Sequence, residues 1–199
     1  MSQNTSISKN LIRQEFLKKR NELSTEHLKE SSFQVCKKLA QSYDTARATT
    51  FAGYAAFRNE INLAAFISVC VHEKVFFLPK FQIALGRYVF MQIQNMETDL
   101  TIGKYGIKEP LPHLLSLSIE EAQETIDVWL VPGAVFDTTG NRIGMGGGFY
   151  DRFLMNNSGL KIGIAHDFQV VDNKLPVANH DIKMDMLVTD QRILDFRNT

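Results

Sequence analysis

Between Val131 and Leu154 the chain reads Val-Pro-Gly-Ala-Val-Phe-Asp-Thr-Thr-Gly-Asn-Arg-Ile-Gly-Met-Gly-Gly-Gly-Phe-Tyr-Asp-Arg-Phe-Leu, and this stretch holds six of the chain's twelve glycines. Gly144, Gly146, Gly147 and Gly148 come just after Arg142 and just before Phe149–Met155, where Phe149, Phe153 and Leu154 predict a helix with one buried side. A loop of this composition suits phosphate. Glycines let the backbone approach a ligand closely, successive N–H groups can converge on oxyanions, and a following helix adds its positive end. Arg142 supplies a permanent cation with a planar donor fork, which makes it the candidate catalytic residue. The two standard phosphate signatures are absent: the dinucleotide pattern needs glycine where Phe149 stands, and there is no Gly-Lys-Ser/Thr. A tight connection that simply needs several glycines is the alternative reading.

Further chemistry-bearing residues lie well upstream. Lys9 and Arg13 are four apart in a segment where Leu11, Ile12, Phe16 and Leu23 recur at helical spacing, so both cations project from one side and can meet an anion together. The segment's basic residues, Arg20 among them, otherwise read as a solvated face. Glu60 follows the β-prone stretch Thr49–Phe57, in a polar turn whose Asn62 can cap the next helix. In open α/β sheets ligands collect in loops at the carboxyl ends of strands. A lone glutamate there is otherwise an ordinary solvated carboxylate.

The elements needed to position these residues are legible as a recurring strand and helix pattern. Ser24 begins a second helix that ends near Ser42, and Gly53 marks a close approach inside the first strand. Lys74–Leu78, stopped by Pro79, reads as a buried parallel strand, and Arg87–Ile93 as another. Thr101–Pro112 reads as a loop, Ser118–Glu121 as a capping box, and Ile126–Val131 as the strand feeding the glycine loop. Lys161–Ala165 and the apolar part of Met184–Thr189 complete the strands, the second as the last of them, with His166–Val177 mostly loop between. The expected fold is therefore α/β: one domain over residues 1–199, with a largely parallel central sheet layered by helices.

A chain of 199 residues, 44% hydrophobic and 22% charged with formal net charge zero, has globular composition and no broad positive surface for nucleic acid or an anionic membrane. Charge balance favours a small-molecule partner. Cys36 and Cys70 sit in apolar periodic segments and read as buried thiols rather than a disulfide. The polar start Met-Ser-Gln-Asn-Thr-Ser lacks a secretory apolar core, and no run approaches the ~18 apolar residues of a membrane span, so a cytoplasmic location is expected.

Several separated stretches together resemble one family, the 5-formyltetrahydrofolate cyclo-ligases, also called 5,10-methenyltetrahydrofolate synthetases. They are Lys9-Asn-Leu-Ile-Arg13 with Arg20 behind, Glu60-Ile-Asn62, Leu78-Pro-Lys80 and Tyr105-Gly-Ile-Lys-Glu-Pro110. Val131–Asp137, Gly140–Asp151, and a tail running from Gly163 through Gln169, Pro176, His180-Asp181 and Asp185 complete the set. The resemblance runs nearly end to end, and Val131–Asp151 is its most specific part.

That resemblance implies an ATP-dependent cyclisation of 5-formyltetrahydrofolate to 5,10-methenyltetrahydrofolate with release of ADP and phosphate, on a fold like that of the NagB, RpiA and CoA-transferase group. It implies that ATP is held by Lys9, Asn10, Leu11, Ile12 and Arg13, and by Arg142, Ile143, Gly144, Met145, Gly146, Gly147, Gly148, Phe149 and Tyr150. The folate, with or without a polyglutamate tail, falls to Tyr54, Glu60, Met145, Gly146, Gly147, Gly148 and Phe149, with Tyr150 bordering it and core packing the alternative for Tyr54. Asp151 and Asp185 match carboxylates associated with Mg²⁺, although either alone reads equally as a cap or surface residue. Met145 and Gly147 stand where many members carry a bulkier polar or basic residue, so backbone contacts are what survives there. His166 and His180 receive no role. A monomer without nucleic-acid or membrane partners is expected; the competing classes are a binding regulator that lost turnover and another phosphotransferase on a related sheet.

Overall fold

The computed structural model describes residues 2–103 and 106–197; Tyr105, the first residue of one motif above, lies outside them, as do Met1, Lys104, Asn198 and Thr199. Helix α1 spans Ser2–Asn21 and α2 spans Thr25–Gln41, with the His27 N–H donating to Ser24 Oγ at 3.1 Å as the predicted cap. Helix α3 (Tyr43–Arg47) leads to β1 (Thr50–Ala52), α4 (Ala64–Cys70), and the hairpin β2 (Val75–Gln82) and β3 (Arg87–Ile93). Next come β4 (Leu100–Ile102), β5 (Lys108–Pro110), β6 (Ser116–Leu117) and α5 (Ile119–Thr125), the last opened by the Ser118–Glu121 capping box. Strands β7 (Val128–Pro132), β8 (Val135–Asp137) and β9 (Arg142–Ile143) precede α6 (Phe149–Leu154). Strands β10 (Leu160–Ala165), β11 (Val170–Val171), β12 (Met186–Thr189) and β13 (Ile193–Asp195) close the chain.

Eight strands form one sheet in the order β13-β12-β10-β7-β1-β2-β3-β6. Strands β12, β10, β7, β1 and β2 run parallel, and β13, β3 and β6 are antiparallel additions at the edges. The order grows from β1 to β2 on one side and from β7 through β10 to β12 on the other. The loops leaving β1 and β7 therefore face each other at a topological switch point, where an open α/β sheet has its natural crevice.

Side-chain alternation layers the molecule. Phe76 and Leu78 point to the face packed by Val35 and Leu39 of α2 and Phe66 and Ile67 of α4. Phe77, Trp129 and Val131 point to the other, packed by Ala122 of α5 and Phe153 and Leu154 of α6. A smaller sheet, β11-β8-β9, lies across this second face. It sits close because Gly133 and Gly163 carry no side chain: a Cβ on either would stand 2.6 or 2.7 Å from the Phe136 ring. Phe16, Val135, Ile143 and Leu175 then make a third core under α1.

Several expectations are corrected. The strand does not stop at Pro79 but runs on to Gln82. Phe77 accepts from Gly53 N on the β1 side, so Pro79, two residues on, turns its missing N–H to the edge where β1 has already ended. At Gly53 the close approach is made by a side chain, the Phe76 ring, 2.8 Å from where a Cβ would be. Thr101–Pro112 is no plain loop, since β4 and β5 pair antiparallel within it. Strand β13 follows the strand expected to be last. Leu11 lies on the outside of α1 at 64% exposure, whereas Arg20, expected on a solvated face, is 1% exposed. Helix α6 has only six residues, which leaves little macrodipole for the glycine loop to use.

Candidate functional site

Arg142 leaves β9 toward the carboxyl end of β7. Its Nη2 donates to Asp151 Oδ1 at 3.1 Å, its Nη1 reaches the Pro132 carbonyl at 3.4 Å, and its guanidinium lies 5.7 Å from the Tyr150 ring centre. Its buried Nε has no hydrogen-bond partner among the described residues. Gly144 is required beside it, because a Cβ there would stand 2.5 Å from Arg142 Nη1. The loop then crosses two left-handed positions, Gly146 at φ +100° and Gly148 at φ +60°. The N–H groups of Gly144 through Gly148 donate to no acceptor among the described residues, and Met145, Gly146 and Gly147 are exposed. These donors and a neighbouring cation make a cradle for an oxyanion.

Helix α1 is docked onto this loop. Arg13 Nε donates to the Gly144 carbonyl at 2.6 Å and Arg13 Nη1 bonds Asn10 Oδ1, while Lys9 pairs with Asp181. Burial holds Arg13 below the usual arginine range. Ile12 packs into the core beneath the helix and Leu11 points outward. Arg13 and Arg142, from segments more than 120 residues apart, thus meet at Gly144, while Lys9, one helical turn before Arg13, is held on Asp181.

The loop leaving β1 contributes the acid. Glu60 is nearly buried; its Oε2 accepts from Phe57 N at 3.0 Å and its Oε1 lies 3.8 Å from Arg20 Nη2. Burial pushes its carboxyl above the ordinary range, against the opposing pull of Arg20 and of the Phe57 hydrogen bond. Tyr150, on the helix leaving the glycine loop, is raised by burial and then by the charge of Glu60, so the two stand within electrostatic reach. Tyr54 is buried, donates to the Ile61 carbonyl at 2.8 Å, and is likewise raised by burial and by Glu60. Phe149 packs at 4.3–4.4 Å between ring centres against Phe153 and Tyr88. Arg58 and Asn59, just before Glu60, both have positive φ, an unfavourable pair for non-glycine residues that outside partners must hold. Those partners are Arg20, whose Nε donates to the Arg58 carbonyl at 2.9 Å, and His166, whose Nε2 is 3.0 Å from the Asn59 carbonyl.

The two aspartates separate. Asp151 lies in the cluster through Arg142 and accepts from Ile182 N at 3.3 Å. Asp185, at the start of β12, is engaged by Lys161 N at 2.7 Å and by Lys161 Nζ. No described contact joins them, and among the described residues no group of three His, Cys, Asp or Glu is arranged to hold a metal. Asp137, inside the most specific motif, is a locking residue. Burial pushes its carboxyl up, but hydrogen bonds from Leu175, Asn141 and Thr139 outweigh this and hold it below the ordinary range. Gln169 serves similarly by donating to the Gly133 and Ala134 carbonyls. Arg20, Asp137 and Gln169 lie in the motifs, but nothing local in the sequence marks them as buried supports.

The sheet and site define a class: an α/β protein with an arginine-flanked glycine loop and a nearly buried acid on the two loops of a parallel sheet's switch point. Residues 5–190 match the model of the 5-formyltetrahydrofolate cyclo-ligase family. The 5-formyltetrahydrofolate cyclo-ligase of Haemophilus influenzae is 31% identical over 183 residues, covering 89% of this chain and 95% of its own. The Escherichia coli enzyme of that name is 29% identical, covering 89% and 98%. Among solved structures, the NMR structure of Aquifex aeolicus 5,10-methenyltetrahydrofolate synthetase superposes with a TM-score of 0.83 at 31% identity, over 96% of this chain and 94% of that one. A Mycoplasma pneumoniae synthetase, 24% identical with a TM-score of 0.71, shares the fold. The chain belongs to the 5-formyltetrahydrofolate cyclo-ligase family, ligases that convert 5-formyltetrahydrofolate to 5,10-methenyltetrahydrofolate at the expense of ATP.

Proposed function

We propose that this chain closes the folate ring by first turning the formyl oxygen into a phosphate ester. That oxygen is a poor leaving group. It attacks the γ-phosphorus of ATP, the bond to the ADP oxygen breaks, N10 adds to the activated formyl carbon, and phosphate leaves with its electron pair while N10 gives up its proton. Alignment and charge stabilisation dominate such a transfer. The observation that carries this reading is the meeting of Arg13 and Arg142 at Gly144 of the glycine loop, with Lys9 one helical turn from Arg13.

In this reading the N–H groups of Gly144–Gly148 and the three cations receive the phosphates, with Asn10 and Met145 beside them, while Ile12 and Ile143 support the site from the core and Leu11 points away from it. Arg142 holds the transferring group through the charge of its guanidinium. Lys9 exchanges Asp181 for phosphate on binding. Glu60 accepts hydrogen bonds from the N–H-rich pterin ring, and Phe149, Tyr150 and Tyr54 border it. Mg²⁺, when bound with ATP, neutralises charge on the phosphate oxygens. Asp151 fits that ion, since its Oδ2 bonds no described residue and Mg²⁺ favours one or two carboxylates beside phosphate and water. Asp185, tied to Lys161, supports the role less.

The test mixes the protein with 5-formyltetrahydrofolate and MgATP and follows absorbance of the methenyl product. Arg142→Ala is expected to lower kcat/KM for ATP by about 10²–10³, the usual scale for losing one preorganised charge donor. Glu60→Ala should raise the folate KM about tenfold or more, as for lost hydrogen bonds to a charged group, and leave nucleotide binding nearly intact. Equal loss of both ligands in both variants contradicts this division of the site.

A further inference from the structure

Arg20 is a fully buried cation with unusual connections. Its Nε donates to the Arg58 carbonyl at 2.9 Å, in the loop leaving β1, and its Nη1 to the Gly133 carbonyl at 3.2 Å, in the loop leaving β7. Its own carbonyl accepts from Asn59 Nδ2 at 3.2 Å. Its Nη2 has no hydrogen-bond partner among the described residues and faces Glu60 Oε1 at 3.8 Å. A buried guanidinium donor without a hydrogen bond is costly, and the nearby Glu60 carboxylate is the charge that offsets it. One side chain therefore ties together both loops of the switch point, holds a turn with two left-handed residues, and presents its spare charge to the acid of the site.

Resting on the reading of Glu60 as the folate-binding acid, we propose that Arg20 is a positioning residue for folate, fixing Glu60 in place and keeping its carboxylate ionised. Arg20 touches no substrate; it acts through Glu60. The charged and titratable groups that act on or feel this acid are Arg20 from α1, Tyr54 from its own side of the site and Tyr150 from α6, while Arg58 acts on Arg20 and lies over the Phe57 ring. His166 stands behind, on the Asn59 carbonyl and within electrostatic range of Arg20. The two tyrosines are neutral, which leaves Arg20 as the cation that opposes the effect of burial and favours the anion.

The test compares Arg20→Gln, Arg20→Lys, Glu60→Gln and the Arg20→Gln/Glu60→Gln double variant in steady-state assays, with circular dichroism and thermal melts to establish folding. Arg20→Gln is expected to raise the folate KM about tenfold while the ATP KM changes less than threefold. Without the neighbouring cation the carboxylate ionises less readily, so the acid limb of kcat/KM for folate moves to higher pH by about one unit. Arg20→Lys keeps the charge and leaves that limb in place. In the Glu60→Gln background, Arg20→Gln adds nothing further to the folate KM. Should Arg20→Gln not fold, Arg20→Lys decides alone: an acid limb moved by a unit or more overturns the proposal, and an unmoved one supports it. A full additional loss in the double variant, or equal rises in both KM values, overturns the proposal while leaving the Glu60 reading intact. An unchanged folate KM in Glu60→Gln overturns both.

Discussion

At the scale of single residues, the glycine loop separates positions that look alike in the sequence. A Cβ at Gly144 would lie 2.5 Å from Arg142 Nη1, whereas one at Gly147 would meet nothing within 4 Å. Gly144→Ala must therefore push the guanidinium away from Asp151 and the Pro132 carbonyl, and it is expected to lower kcat/KM for ATP by about tenfold or more, since displacement of a catalytic group by ~1 Å can cost up to 10²-fold. Gly147→Ala should keep ATP use within threefold and stability within about 0.5 kcal/mol, as for surface changes that touch no special feature. The measurement is a pair of ATP titrations beside thermal melts. Equal kinetic loss in the two variants would mean that the loop needs glycine throughout for backbone reasons, and the collision with Arg142 would explain nothing.

At the scale of elements, α1 depends on a few long-range tethers in its N-terminal half. Lys9 pairs with Asp181 and Arg13 with the Gly144 carbonyl, while Ile7 and Leu11 are exposed and bury nothing. Asp181→Asn removes one partner of a largely buried pair, so backbone amides of residues 8–13 should exchange with solvent about tenfold faster, equivalent to about 1.4 kcal/mol of local stability. Exchange that stays as slow as in the parent chain would show that packing by Ile12 and Phe16 holds the helix without the pair. The same distinction between local and distant causes sets what the sequence made legible. Ser24 and the Ser118–Glu121 box announce helix starts because capping is settled within three residues, and the glycine run announces a loop on composition alone. Arg20 looked solvated because its acceptors, at Arg58 and Gly133, are 38 and 113 positions away. Glycine and proline hide the β4–β5 pair, and periodicity places Leu11 inward although the apolar packing of α1 described for the third core runs along Ile12, Phe16 and Leu17. The chemistry of the site was readable as residue types; its supports, Asp137 and Gln169 included, became visible only when the chain brought their partners together.

At the scale of the whole molecule, the candidate site is built from α1, the loop leaving β1 and the glycine loop, so its ligands bridge the N-terminal helix and both arms of the sheet's switch point. A ligand bound across such elements stabilises the global fold and not one segment. At a hundredfold excess over Kd it adds about 2.7 kcal/mol. For a chain of this size that corresponds to a rise in Tm of roughly 5–10 °C. ATP without folate, which cannot turn over by the proposed reaction, should raise the Tm by this order, and Mg²⁺ should enlarge the shift if Asp151 and the phosphates share the ion. Asp151→Asn should then remove the Mg²⁺-dependent part while sparing most of the shift given by ATP alone, because Lys9, Arg13 and the loop N–H groups are still present. The same titration in Arg142→Ala should show a reduced response to ATP and a preserved response to 5-formyltetrahydrofolate. If ATP instead slows hydrogen exchange in α1 without moving the Tm, the nucleotide engages that helix alone, and the meeting of three distant segments is a feature of the fold with no part in binding it.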